Sequence, residues 1–295
     1  MNLIDINTLF STEDKCRELL VRLRFPEGPR CLRCKMPVVE LETAKQLFYC
    51  KDCDYQFSVT SGTVFNDSHL PLTKWFLTTH LLCEAKKGMS ACQIQRTVGM
   101  SYKTAWYLCH RIRHAMAQTD KPMLDGTVEM DETYVGGVNK GKGRINRVEN
   151  KEVVVGIRKR NGDLRFFHST DAKSGTLAQY IRENVSEDVE VIITDDFSSH
   201  PFAMKKAGVK NHKTINHSSG VYVVGDIHTN TVESAFSLLK RGIMGTWHKI
   251  SAKHLPSYLE EMTFRFNRRK RSDLFLDTLR HMVTAPVLTF EKLTA

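Results

Sequence analysis

The sequence predicts an α/β protein in three segments, and three observations predict it. Two Cys-x2-Cys pairs stand near the N-terminus, the apolar period changes from two to about 3.6 over residues 71–116, and short apolar strands follow Gly126. A chain of 295 residues suffices for two or three small domains, and 41% apolar residues can fill sizeable cores. Lys and Arg outnumber Asp and Glu by 43 to 33, a formal charge of +10. That excess suits a polyanionic partner, nucleic acid before membrane, although soluble proteins without such a partner also carry it. The opening MNLIDINTLFSTEDKC has no basic region before a long apolar run, so it does not read as a signal peptide. No stretch of about 18 apolar residues offers a membrane span, and a cytoplasmic location is expected. In that compartment the eight cysteines are not expected to form disulfides.

Residues 10–65 hold the first segment. Cys31 and Cys34 are followed, after 15 residues, by Cys50 and Cys53. Each Cys-x-x-Cys bends the chain so that two thiolates face one ion, and two such turns complete a tetrahedral shell. A closed shell leaves no place for water, so one structural Zn²⁺ is expected. The extended stretch between the pairs predicts a zinc ribbon, small antiparallel strands held by metal. Cys16, Cys83, Cys92 and Cys109 are scattered and read as small apolar fillers.

Residues 70–117 read as helices. Pro71 opens one with Trp75, Phe76, Thr79, Leu82 and Cys83 on a shared face, and Gly88 ends it. Ser90 caps a short helix to Val98, Gly99 turns the chain, and Ser101 caps a third helix over 102–116. On that helix Ala105, Leu108, Cys109 and Ile112 point inward, and Lys103, Tyr107, His110, Arg111 and His114 are expected on the outer side. Short helix, glycine turn and cationic helix make a helix-turn-helix pattern suited to DNA, and an ordinary three-helix bundle with a basic face also fits. Residues 117–126 read as a linker.

From 126 to 285 a mixed α/β domain is expected. Val128–Val135 is a first strand. Strands at Val153–Arg160 and Leu164–Ser169 flank Asn161-Gly162, a favoured hairpin pair. Residues 173–185 suit a helix, and a short apolar strand from Val189 ends at Asp195-Asp196. Read as a helix, the segment from His228 to Arg241 and just beyond puts Val232, Ala235, Phe236, Leu239 and Ile243 on an apolar stripe, and Asn230, Glu233, Ser237 and Lys240 on the opposite polar one. Seven residues, nearly two turns, separate Glu233 from Lys240. Acids at strand ends suit divalent metal chemistry on phosphodiesters, in which hard oxygen ligands hold two ions about 4 Å apart. A helix with a Glu and a Lys is equally the solvated face that many helices show.

Met130-Asp131-Glu-Thr-Tyr-Val-Gly-Gly137, Ile193-Thr-Asp195, and His228-Thr-Asn-Thr-Val-Glu233 with Lys240-Arg241-Gly242 resemble a known family. They are similar to the bacterial insertion-sequence DDE transposases with an N-terminal zinc ribbon, the ISXO2-like group, relatives of the eukaryotic Merlin transposons. GTWHKIS and KHLPSYLEEMTFRFNRR resemble that family's C-terminal end, so the likeness spans about residues 10–270. It implies an RNase H-like catalytic domain, two Mg²⁺ or Mn²⁺ ions, double-stranded DNA at transposon ends and target as partner, and a homodimer in the active complex. The family's acids map to Asp131, Asp195 and Glu233, and its trailing Lys to Lys240. Asp131 would bridge both ions, with Asp195 on one and Glu233 on the other. Some members place Asn where this chain offers Glu, so Asn230 competes with Glu233. Glu233 is preferred because a carboxylate holds Mg²⁺ better than an amide. Glu132 and Asp196 are neighbouring spares that strand alternation leaves undecided.

The resemblance implies cleavage at the element's ends followed by joining of the freed 3′-OH to target DNA. Lys140, Lys142, Arg144 and Arg241 suit phosphate contacts, and a solvated loop also accounts for the first three. The alternatives are an inactive transposase-derived DNA-binding regulator and a hydrolytic nuclease of the same fold.

Overall fold

Five strands pair in the spatial order β6-β5-β4-β7-β8, and they carry Asp131, Glu132 and Asp195. The structure is a computed structural model that describes residues 1–41, 46–117, 121–136, 151–216 and 225–295. The chain divides into two units, Gln118–Arg269 and Met1–Ala117 with Lys270–Ala295.

In the first of these, β4 (Thr127–Val135), β5 (Glu152–Lys159) and β6 (Leu164–Ser169) run antiparallel. Asn161 takes φ 60° between β5 and β6, as the Asn-Gly pair predicts. β7 (Val191–Asp195) lies parallel to β4, and β8 (His212–Ile215) parallel to β7. The connections are α6 (Ser174–Asn184) before β7 and α7 (Ser199–Ala207) after it. α8 (Asn230–Gly242) runs into a π-turn at Ile243–Trp247, and α9 (Leu255–Arg268) follows.

Alternation along β4 sorts its side chains between two cores. Val128 and Met130 pack with Leu177, Ala178 and Ile181 of α6 and Ala203 and Met204 of α7. Val135, from the opposite register, packs with Val232, Ala235, Phe236 and Leu239 of α8 and Leu255, Leu259 and Met262 of α9. The result is a mixed sheet covered by helices on both faces. Glu132 therefore shares the α6/α7 side with Met130, whereas Glu129 and Asp131 share the α8/α9 side with Val135.

In the other unit, α1 (Leu3–Leu9) and α2 (Glu13–Arg24) precede a ribbon of β1 (Val39–Glu40), β2 (Phe48–Cys50) and β3 (Tyr55–Phe57), paired antiparallel. Arg24 of α2 donates to the carbonyls of Val59 and Ser61 just beyond it. Helices α3 (Leu72–Glu84), α4 (Ala91–Val98) and α5 (Tyr102–Met116) come next. The serine caps behave as expected: Ser90 accepts from Gln93 N–H and Ser101 from Thr104 N–H, with Gly99 left-handed at φ 70° between them.

Two corrections follow. The strand-rich unit ends at Arg269, whereas the sequence reading carried it to 285; α10 (Leu274–Thr284) packs instead against α2, α3 and α5, through Phe275, Leu279, Met282 and Val283. α11 (Phe290–Thr294) closes this unit. Cys92 is exposed, so it fills no core, whereas Cys16, Cys83 and Cys109 are buried. Among the described residues, no helix is long and apolar enough to cross a membrane.

Candidate active site

Asp131 and Asp195 are placed side by side by strand register. The parallel β4–β7 pairing ends at Glu129 opposite Ile193, and each strand carries its Asp two residues further on, on the same face. Asp131 also lies opposite Gly156 of β5. A Cβ built on Gly156 would stand 2.7 Å from Phe236 and 3.0 Å from Val232, so the missing side chain lets α8 approach the sheet here. Glu233, one turn into α8, faces the same space. Asp131, Glu132, Thr133, Glu233, Ser237, Lys240 and Arg241 line one surface cleft, with Phe236 and Met244 as its apolar wall.

Negative charge gathers around Asp131. Burial, and then the charges of Asp195, Glu132 and Glu233, push the Asp131 carboxyl up to about 7, against a Glu132 N–H that favours its ionised form. Asp195 is not among the cleft-lining residues, but its charge is the largest of the three acting on Asp131. Glu233 Oε1 accepts from the Thr229 hydroxyl at 2.7 Å. Asn230, at the start of α8, is exposed and absent from the lining. Lys240 and Arg241 are exposed beside the acids, where they could meet a phosphate.

The adjacent acids separate. Glu132 points to the α7 side, where its Oε2 meets His200 Nε2 at 3.0 Å, and Asp196 is exposed. The ring's other nitrogen, Nδ1, lies 2.7 Å from Asp195 Oδ1. Burial draws the imidazole's pKa down, but hydrogen bonds and charge from Asp195 and Glu132 outweigh it and lift it to about 10. The sequence reading missed His200; an Asp followed five residues later by a His at the start of a helix was the available signal. It also missed Glu129, fully buried two residues before Asp131, and its partner Arg160.

Cys31, Cys34, Cys50 and Cys53 offer sulfurs that all lie within 4.8 Å of one another, the one such His, Cys, Asp or Glu group among the described residues. Among the described residues the carboxylates of the cleft form no such group. Cys31 and Cys53 sulfurs are 3.6 Å apart, and those of Cys34 and Cys50 3.4 Å apart. Tetrahedral Zn–S bonds of about 2.3 Å require sulfur separations near ~3.8 Å, so the set fits zinc. The residue after each pair, Lys35 and Asp54, is left-handed at φ 64° and 52°, which turns both knuckles alike. Burial and hydrogen bonds from the other sulfurs push the Cys53 thiol up to about 12, whereas N–H groups of Cys34 and Arg33 bring Cys31 down to about 6 despite burial. A dication would relieve the cost of ionising all four.

The basic face expected on the third helix differs. His110 and Arg111 are buried at 1% and 4% exposure, so the outward reading is corrected for both. Arg111 donates to the Asn66 carbonyl at 2.5 Å and lies over the Trp75 ring. The half-buried Tyr107 donates to the Leu288 carbonyl at 2.6 Å and meets the Phe290 ring edge-on. His114 is half-buried. Lys103 is exposed, its ammonium 4.7 Å from the Phe290 ring centre. The C-terminal segment covers this side of α5 and leaves the first turn, 101–104, open. Lys140, Lys142 and Arg144 lie outside the described residues.

Residues 123–267 match the ISXO2-like transposase domain, and residues 11–56 match the transposase zinc-ribbon domain. The chain belongs to the ISXO2-like transposase family. The transposase-domain match falls within the strand-rich unit, and the ribbon match contains all four clustered cysteines. An "Uncharacterized protein in transposable element ISH50" of Halobacterium salinarum is 28% identical over 274 residues, 87% of this chain and 91% of that protein. A cryoEM structure of the simian T-cell lymphotropic virus intasome in complex with PP2A regulatory subunit B56 gamma covers 68% of this chain and 65% of its own, at 12% identity. Its TM-score of 0.24 is too low to bear on fold or function.

Proposed function

We propose that this transposase-family protein cuts DNA at the ends of an insertion sequence and joins the freed 3′-OH to target DNA. The observation that carries the reading is the acid cleft of the transposase domain, where Asp131 is held against Asp195 and Glu233 with Lys240 and Arg241 beside them. The order of three antiparallel strands followed by two parallel ones supports the RNase H-like fold that the resemblance implies.

Asp131, Asp195 and Glu233 are the ligands we assign to Mg²⁺ or Mn²⁺. The fit is at Asp131: burial and the charges of Asp195 and Glu233 disfavour its ionised form, and a dication would relieve that. Two such ions, when bound, would make the attacking oxygen easier to ionise and stabilise the leaving oxygen. Glu233 is preferred to Asn230 because it lines the cleft and Asn230 does not. The chain's own part is to orient and neutralise. Lys240 and Arg241 hold phosphate oxygens, and the helix-to-sheet approach at Gly156 sets how closely Glu233 faces Asp131. Water attacks in line at the phosphorus of the element's end and its 3′-oxygen leaves as the 3′-OH; that 3′-OH then attacks a target phosphorus in line and displaces a target 3′-oxygen, so one cleft serves both steps.

DNA contact is assigned to the zinc ribbon, the open first turn of α5 with Lys103, and Lys240 and Arg241, in a complex of two copies. The experiment is incubation of a labelled duplex carrying the element's end with Mg²⁺ and target DNA. Cleaved ends joined to target support a transposase. Cleavage with no joined product under any condition would leave a hydrolytic nuclease, and binding without cleavage a regulator.

A further inference from the structure

His200 lies in the first turn of α7, and its ring is fully buried. Ala203 and Met204, three and four residues on, anchor that helix in the core on the α6/α7 side of the sheet. The anchor directs the imidazole to the end of β7. There Nδ1 meets Asp195 Oδ1 at 2.7 Å, Nε2 meets Glu132 Oε2 at 3.0 Å, and Phe197 packs edge-on at 5.6 Å between ring centres. Phe197 N–H also donates to Asp195 Oδ1, at 3.1 Å. Two donors on one carboxylate oxygen fix the Asp195 rotamer. The other ring nitrogen takes up Glu132, whose side chain is 6% exposed and would otherwise add a buried charge next to Asp131.

We propose that His200 is a positioning residue of the acid cleft: it orients Asp195 toward the divalent ion and pairs with Glu132 on the α6/α7 face of β4. The inference rests on the reading of Asp195 as a metal ligand. Groups that orient a ligand in this way set metal affinity as well as rate, by about 10–100-fold when removed.

The test is Mn²⁺ binding by the full-length, DNA-free protein, followed by electron paramagnetic resonance and by metal-dependent thermal stabilisation. Wild type is compared with His200→Ala, His200→Asn, His200→Gln and Asp195→Asn, and end cleavage is measured at limiting and saturating Mn²⁺. An Asn amide nitrogen sits near the place of Nδ1, and a Gln amide nitrogen near that of Nε2. His200→Ala is expected to raise half-saturating Mn²⁺ about tenfold or more. His200→Asn should recover much of the loss and His200→Gln little, whatever their melting temperatures. A wild-type Mn²⁺ affinity in His200→Ala would overturn the proposal. If the alanine variant does not fold, equal affinities in His200→Asn and His200→Gln would overturn it. The two levels separate on Asp195→Asn. Wild-type binding and cleavage there removes the metal-ligand reading itself, whereas a loss there with unchanged His200 variants removes only the positioning role.

Discussion

The carboxylate of Glu129 caps the helix that carries Glu233. Its Oε2 accepts from the Thr231 N–H at 2.9 Å, the Thr231 hydroxyl at 2.6 Å and the Val232 N–H at 3.0 Å. Arg160 closes the other side, with two nitrogens 3.1 and 3.0 Å from Oε1, and also holds the carbonyls of Asp226 and His228. Glu129 stands on the same face of β4 as Asp131, so this contact ties the first turn of α8 to the strand bearing the first acid. It explains why a His-Thr-Asn-Thr-Val-Glu run precedes the cleft: its first residues dock the helix and its last one faces the acids.

Glu129→Ala leaves the Arg160 guanidinium and the N–H groups of α8 without their carboxylate. The expected loss is about 3 kcal/mol or more of unfolding free energy, read by denaturant titration. Glu129→Gln keeps the shape and part of the bonding and should lose less. Equal stability of Glu129→Ala and wild type would mean that the cap does not hold α8 in place.

Gly156→Ala tests the same interface from β5. The new methyl would meet the side chains of Phe236, Val232 and Phe166 at 2.7, 3.0 and 3.1 Å, so the packing of α8 on the sheet must give way there. A loss of about 1–3 kcal/mol is expected, together with weaker Mn²⁺ binding as Glu233 moves from Asp131. Normal stability combined with normal Mn²⁺ binding would show that the close approach is dispensable.

The pH dependence of metal-free stability follows from Asp131. Its folded pKa, about 7, lies above its ordinary 3.8, so the folded chain holds a proton there that the unfolded chain has released. Stability from this group is therefore present at low pH and is lost as pH rises from about 4 to about 7. Without added Mg²⁺, Asp131→Asn should melt above wild type at pH 8, with the gap closing toward pH 5. Added Mg²⁺ should stabilise wild type and not the variant. A gap that stays constant from pH 5 to pH 8 would contradict the acid repulsion.

Cys50→Ser should reduce zinc from one ion per chain to near none and lower stability by several kcal/mol, read by atomic emission and thermal unfolding. Mn²⁺ binding at the acid cleft should persist, because the zinc is structural. One zinc per chain with unchanged melting would contradict the ribbon assignment.

What could be read in the sequence was what local chemistry determines. The paired cysteines, Ser90 and Ser101 at helix starts, Asn161-Gly162 at a hairpin and the Val232–Leu239 stripe each act over a few residues, and each sits as expected. Long-range packing was not legible. The spacing of Phe275, Leu279 and Met282 shows an apolar helix face but not which core it joins, so its packing against α2, α3 and α5 went unseen. Asp131 and Glu132 could not be told apart while both sides of β4 read as buried. Only the helices on each face, one bearing His200 and the other Glu233, distinguish them.

The most direct test of the central claim is strand cleavage by Asp131→Asn, beside Asp195→Asn and Glu233→Gln, on a labelled end-containing duplex with Mg²⁺, with binding to the same duplex measured in parallel. Each change removes one negative ligand while nearly keeping shape. Cleavage should fall at least about a hundredfold with end binding retained, and Lys240→Ala should be milder because it removes a phosphate contact only. Full cleavage by Glu233→Gln would move the third role to another residue. Full cleavage by Asp131→Asn, at wild-type Mg²⁺ dependence, would contradict the two-metal account altogether.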